Sequence, residues 1–266
     1  MSQVKSMMFE DINLERLVEI ARKAGDEIMK IYVRDFSVEI KSDNSPLTEA
    51  DKKSNAVILD ALTKSYPGIP FISEETKHTS FAERKNWERY WLIDPLDGTK
   101  EFIKKNGEFT VNIALIKNGK PVVGIVYAPA LNKMYYAAEG IGAFTYNVTT
   151  NKFEPIANHT HYSEKKNVVV VASRSHLTDE TLQFVERLKA MGKEVTFISS
   201  GSSLKFCLVA EGKADVYPRF GPTSEWDTAA AQAVAICAGK KVIDFQTKEA
   251  LKYNKEILLN PYFIVE

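Results

Sequence analysis

Acidic residues stand where apolar runs stop. Trp91-Leu92-Ile93 ends at Asp94-Pro95-Leu96-Asp97-Gly98-Thr99, and Phe71-Ile72 runs into Ser73-Glu74-Glu75-Thr76. Asp227, after Glu225-Trp226, opens an alanine-rich stretch. Carboxylates delivered by strand ends and helix starts suit hard divalent cations, which take oxygen ligands. Asp94 and Asp97 repel each other unless something cationic lies between them. No His or Cys pairing suggests zinc. Glu74, Asp94, Asp97 and Asp227 therefore read as a Mg²⁺ site. Four bare carboxylates would repel a phosphate, so a phosphate-binding role makes sense only with metal loaded. Two metals a few ångströms apart can activate a water and stabilise the leaving oxygen of a phosphoryl group.

The same turn offers amides to an anion. Pro95 fixes φ, Gly98 permits geometry that a Cβ would block, and a helix starting there leaves the Gly98 and Thr99 N–H groups open. The Thr99 hydroxyl is a weak base alone. Hydrogen-bonded to a carboxylate such as Asp51, it could orient and deprotonate an attacking water. Farther along, Gly201-Ser202-Ser203 precedes a helix and reads as a small anion cradle, with Lys205 and Arg219 as the cations to face it.

Each of these residues also has a plainer reading. Asp94 and Asp97 are common turn residues. Asp51 stands three places after Thr48, as in a capping box with Asp for the usual Glu. Thr99 reads equally as an N-cap. Glu74-Glu75 reads as a solvated pair, Lys205 as a solvated charge with its stem on apolar surface, and His176 beside Arg174 as a surface pair.

The elements that must position these groups follow from periodicity. Two helices, over 11–34 and 48–64, precede a strand meander with an Asn118-Gly119 hairpin turn. The stretch 147–166 is polar and without period, which places a subdomain boundary and divides the chain into 1–160 and 161–266. The second half alternates strand and helix, an α/β layer. At 266 residues the chain is long enough for a sizeable core. Lys+Arg and Asp+Glu are 35 each, so a general nucleic-acid binder is excluded and any anion must be held by a local site. Cys207 and Cys237 read as buried thiols, with no disulfide framework. No apolar run reaches transmembrane length, and the first ten residues lack a signal-peptide core, so the default location is the cytoplasm.

Glu74-Glu75-Thr76, the run from Trp91 to Thr99, and Trp226-Asp227 resemble the three signature motifs of the inositol monophosphatase superfamily, lithium-sensitive, Mg²⁺-dependent phosphatases of sugar and nucleotide phosphates. Thr99-Lys100-Glu101-Phe102, the run from Gly201 to Gly212, and Tyr217 to Thr223 are similar to its 3'(2'),5'-bisphosphate nucleotidase branch. The similarity extends from about Leu14 onward. One departure is Ser73, where many members have Gly.

The resemblance implies a layered αβαβα sandwich of two subdomains with the site in the cleft between them. It gives the metal ligands to Glu74, Asp94, the Leu96 carbonyl, Asp97 and Asp227, holding two or three Mg²⁺ ions. The water-activating pair falls on Thr99 and Asp51, and the phosphate turn on Asp97, Gly98 and Thr99. Ser202, Lys205, Arg219 and His176 meet the nucleotide, with Glu74, Leu96 and Asp227 also near the substrate. The implied reaction is hydrolysis of adenosine 3',5'-bisphosphate to AMP and phosphate, recycling a by-product of sulfate assimilation. The alternative is an inositol or sugar monophosphatase on the same metals. The implied partner is a small molecule, for a monomer or homodimer in the cytoplasm, with peripheral attachment to the cytoplasmic face of the inner membrane left open.

Overall fold

Leu14, Leu17, Ala21, Ala24, Ile28 and Ile31 recur at helical spacing, and the helix they form, α1 (Leu14–Tyr32), buries that face. The computed structural model describes residues 7–40, 46–173 and 178–266. Within them the further helices are α2 (Glu49–Ser65), α3 (Phe81–Arg84), α4 (Thr99–Ile103), α5 (Asp179–Ala190), α6 (Leu204–Ala210) and α7 (Glu225–Cys237).

A seven-stranded sheet runs in the order Lys152–Ile156, Gly142–Asn147, Lys133–Ala138, Lys120–Ala128, Thr110–Lys117, Arg89–Asp97, Phe71–Ser73. Its pairs are antiparallel except the last, where Phe71 to Ser73 run parallel to Trp91 to Ile93. Its central strands are apolar at nearly every position because both faces are covered. Trp91, Ile93, Val111 and Ile113 pack with α1 and α2, whereas Leu92, Ala114 and Val126 pack with α7. A second sheet begins with the parallel pair Asn167–Ala172 and Glu194–Ser199, joined through α5. A bridge from Val170 to Val216 connects it to the antiparallel set Tyr217–Arg219, Phe263–Val265 and Val242–Asp244. α6 and α7 lie between the two sheets and α5 covers the outer face of the second. The result is the αβαβα sandwich that the sequence leads one to expect.

The close approach of α7 depends on Gly124. A Cβ there would lie 2.2 Å from the carbonyl oxygen of Ala230. Backbone cannot yield as a side chain can, so Gly124→Ala should lower stability by about 1–3 kcal/mol. An unchanged midpoint in thermal or urea unfolding would contradict this packing.

The polar stretch after residue 147 holds more structure than its composition suggests. Lys152–Ile156 adds an edge strand by pairing with Gly142–Asn147. Four of its five residues are exposed, so no alternation marks it. No described helix is long and apolar enough to cross a membrane.

Candidate active site

The strand Arg89–Asp97 stops pairing regularly where the acids begin. Asp94 faces Asn112 and Asp97 faces Thr110, so two residues on this strand oppose one on its partner. Such a bulge bends the strand and re-aims its side chains. The turn is held from within and from α2: the Leu96 N–H donates to Asp94 Oδ1 (3.1 Å) and Ser54 Oγ donates to the Pro95 carbonyl (2.7 Å). Gly98 then adopts φ +90°, the left-handed region that favours glycine, and α4 starts. The first bonds of α4 run from the Glu101 and Phe102 N–H groups to the Gly98 carbonyl. The amides before them have no acceptor inside the helix.

Glu74 arrives on the neighbouring parallel strand, its N–H continuing the ladder to the Ile93 carbonyl at 3.2 Å. Ser73 is buried and donates its hydroxyl to Asn55 Oδ1 (2.7 Å). Asp227 sits in the first turn of α7 and accepts the Ser224 N–H through Oδ2 (2.8 Å). The Trp226 ring packs against His78, 4.9 Å between centroids, and His78 Nε2 lies 3.0 Å from the Ser73 carbonyl, tying the Glu74 loop to α7.

Asp94 and Asp227 do not readily carry full charge beside their neighbours. Burial pushes Asp94 well above the usual carboxylate range, and Glu74, Asp97 and Asp227 push it further. Burial first, then Asp97 and Glu74, push Asp227 up to about 8. As the side chains stand, no three Asp, Glu, His or Cys residues among the described ones form a group that could hold a metal ion. Asp97 is held by the second half of the chain, with Oδ2 accepting the Ser202 hydroxyl (2.7 Å) and the Ser203 N–H (2.6 Å). The donor set nonetheless fits Mg²⁺: it is all oxygen, buried, and repulsive in a way a divalent cation relieves. Closing it on an ion takes side-chain rotation onto that ion.

Asp51 meets two partners at once. Its Oδ2 accepts the Thr48 N–H and hydroxyl, each at 2.7 Å, completing a capping box at the start of α2. Its Oδ1 accepts the Thr99 hydroxyl at 3.2 Å. Thr99 also reaches the Leu96 carbonyl at 3.4 Å. Thr99 is not the N-cap, a position taken by Gly98. With its proton turned toward Asp51, the Thr99 oxygen has lone pairs left to receive another.

A cleft of about 430 Å³ brings together Glu74, Asp97, Gly98 and Thr99 from the first half of the chain with Ser202, Lys205, Arg219 and Asp227 from the second. Asp94, Leu96 and Asp51 are buried residues next to it. Lys205 is no solvated charge: its ammonium is buried and donates to the carbonyls of Ser202 (2.5 Å) and Ser200 (3.3 Å). Burial pulls it down to about 8 against the pull of Asp97. Arg219 donates through Nη2 to the Pro222 carbonyl (2.9 Å), while its Nε is buried without a hydrogen-bond partner. His176 lies outside the described residues.

The Gly201-Ser202-Ser203 loop does not present an anion cradle. The Gly201 N–H donates to Glu108 Oε2 (2.9 Å) and the Ser203 N–H to Asp97, so these amides serve the protein's own carboxylates. Two buried residues absent from the sequence reading, Thr110 and Asn112, join them. The Thr110 hydroxyl meets the hydroxyls of Ser202 (2.5 Å) and Ser203 (2.9 Å), and Ser203 Oγ donates to Asn112 Oδ1 (2.9 Å). One signal was available: Thr110 and Asn112 alternate with Val111 and Ile113 in an otherwise apolar strand.

Comparison with known proteins identifies the family. The model of the inositol monophosphatase family matches residues 13–265. A 3'(2'),5'-bisphosphate nucleotidase, CysQ, from Salmonella typhimurium is 50% identical over 254 residues, covering 95% of this chain and 98% of that one. CysQ of Escherichia coli K12 is 48% identical over the same shares. Among solved structures, CysQ from Bacteroides thetaiotaomicron superposes with a TM-score of 0.83 at 47% identity, covering 95% of this chain and 96% of that one. An inositol monophosphatase from Thermotoga maritima gives 0.75 at 28% identity, covering 95% and 91%.

Proposed function

The chain belongs to the inositol monophosphatase family, and within it we propose a Mg²⁺-dependent hydrolase that converts adenosine 3',5'-bisphosphate to AMP and phosphate. Its cellular role would be removal of this by-product of sulfate activation and transfer. Bisphosphate nucleotidases at 48–50% identity over nearly the whole chain support the substrate class. The observation that carries the reading is Lys205, a buried ammonium in the same cleft as the acids and Arg219.

Glu74, Asp94, the Leu96 carbonyl, Asp97 and Asp227 would hold the metal. Bound there, Mg²⁺ supplies neutralisation of phosphate charge and acidification of a water. The chain's own residues do the rest. Asp51, fixed by Thr48, accepts the Thr99 hydroxyl, so that as the Thr99 oxygen takes a proton from an attacking water its own proton passes to Asp51, and the net transfer is from water to the carboxylate. The Gly98–Thr99 turn presents amides to the phosphate that is cleaved. The other phosphate lies away from the acids and must be matched by side-chain cations, the part given to Lys205 and Arg219.

Lys205→Ala and Arg219→Ala should each lower kcat/KM for adenosine 3',5'-bisphosphate by about ten- to a hundredfold, since a charge-assisted contact contributes roughly 1.5–3 kcal/mol. A substrate with one phosphate should barely change. The kcat/KM of the wild type for the bisphosphate should also fall above about pH 8, where Lys205 of the free enzyme loses its proton and charge. That limb should vanish in Lys205→Ala. Equal losses on both substrates would return Lys205 and Arg219 to the fold.

A further inference from the structure

We propose, resting on the nucleotidase reading above, that Glu108 is a positioning residue for the bisphosphate preference. It acts through the peptide between Ser200 and Gly201, which sets the ammonium of Lys205.

One peptide unit joins the two side chains. Its N–H, on Gly201, donates to Glu108 Oε2 at 2.9 Å, and its carbonyl, on Ser200, accepts from Lys205 Nζ at 3.3 Å. The N–H and C=O of a trans peptide point in opposite directions. A carboxylate at one end and an ammonium at the other therefore both suit the peptide dipole, and bonds in such a chain polarise one another. Lys205 also donates to the Ser202 carbonyl at 2.5 Å. Both carbonyls belong to one loop, so the position of that loop decides where the buried ammonium stands.

The loop is pressed against the segment that carries Glu108. Gly201 has no room for a side chain: a Cβ there would lie 2.5 Å from the Glu108 carbonyl oxygen and 2.9 Å from both Glu108 Cβ and Glu101 Cγ. Glu108 is fixed in turn from α4. Its N–H donates to Asn106 Oδ1 (2.9 Å), and Asn106 Nδ2 donates to Glu101 Oε2 (2.5 Å). The relay thus begins on the helix that follows the Gly98 turn and ends on a cation in the second half of the chain. Charge fits the same assignment: burial and Arg219 disfavour the charge on Lys205, while Asp97, Glu101 and Glu108 favour it. A carboxylate repels a phosphate, so Glu108 serves the substrate by way of Lys205 and not by touching it.

The test is steady-state kinetics at saturating Mg²⁺ on adenosine 3',5'-bisphosphate and on adenosine 3'-monophosphate, which lacks the phosphate that is not cleaved. The proteins are the wild type, Glu108→Ala and Glu108→Gln, and each substitution again in a Lys205→Ala background. Glu108→Ala should raise KM for the bisphosphate about tenfold, on the scale of one charge-assisted contact, with kcat and the monophosphate reaction little changed. Glu108→Gln keeps an acceptor for the Gly201 N–H and loses the charge. A charge-assisted bond is roughly twice as strong as a neutral one, so KM should rise about threefold, and this variant decides the matter if the alanine variant does not fold. In the Lys205→Ala background neither substitution should cost further preference, because a residue that acts through Lys205 has nothing left to act on. An undiminished loss in that background, equal losses on both substrates, or a wild-type KM in Glu108→Gln would overturn the proposal. A wild type that does not prefer the bisphosphate to the monophosphate would overturn the nucleotidase reading, and this inference with it.

Discussion

Asp94→Asn should nearly abolish turnover while leaving the metal-free fold at least as stable as the wild type. Asp94 is 1% exposed and its carboxyl is raised by burial and by Glu74, Asp97 and Asp227. Asparagine removes the charge that these neighbours repel. Its side-chain oxygen can still accept the Leu96 N–H, as Asp94 Oδ1 does. The loss therefore falls on metal binding. Removing an outer partner of a metal ligand already costs about 10–100-fold, and removing a ligand should cost more. The check is a pair of melts, with EDTA and with Mg²⁺, beside an assay of phosphate release. In EDTA the variant should melt at or above the wild-type temperature, and the rise that Mg²⁺ gives the wild type should shrink or vanish. A variant that turns over at the wild-type rate would take Asp94 out of the mechanism.

Thr99→Ala should lower kcat by about 10²–10⁴-fold, the usual contribution of a positioned general base, with a smaller change in KM. An interaction made only in the transition state is lost in this way. The helix-capping explanation is not open to this residue, because Gly98 occupies the N-cap. Thr99 is also a cleaner probe than Asp51, whose second oxygen closes the capping box of α2, so that Asp51→Asn would disturb both. Thr99→Ser keeps the hydroxyl and should keep most of the rate. Steady-state kinetics at saturating Mg²⁺ decides the matter: a Thr99→Ala kcat within about threefold of the wild type would remove the pair from proton transfer.

The acids were legible because each interrupts an apolar run, a local event in the chain. Asp94 and Asp97 also share one turn, so their proximity needed no tertiary knowledge. The layered fold followed from periodicity together with the family's motifs. What stayed hidden is long-range. The Thr110 hydroxyl meets serines 92 and 93 residues away, and Ser203 meets Asn112 across 91. No window along the chain contains such a pair. The Gly201-Ser202-Ser203 cradle failed for a related reason: a Gly-Ser-Ser turn before a helix looks the same whether its amides meet a ligand or a carboxylate of the protein. Here the carboxylates are Glu108 and Asp97. Lys205 shows the reverse, since an isolated lysine in an apolar helix gives no sign that its ammonium is buried among carbonyls.

The most direct test is kcat/KM of the wild type with Mg²⁺ for adenosine 3',5'-bisphosphate and for an inositol monophosphate, measured side by side as phosphate release. Lys205 and Arg219 in the cleft predict a preference for the bisphosphate of at least about tenfold, the equivalent of 1.4 kcal/mol. Equal rates, or a preference for the inositol phosphate, would contradict the nucleotidase reading and place the chain with the monophosphatases of its family.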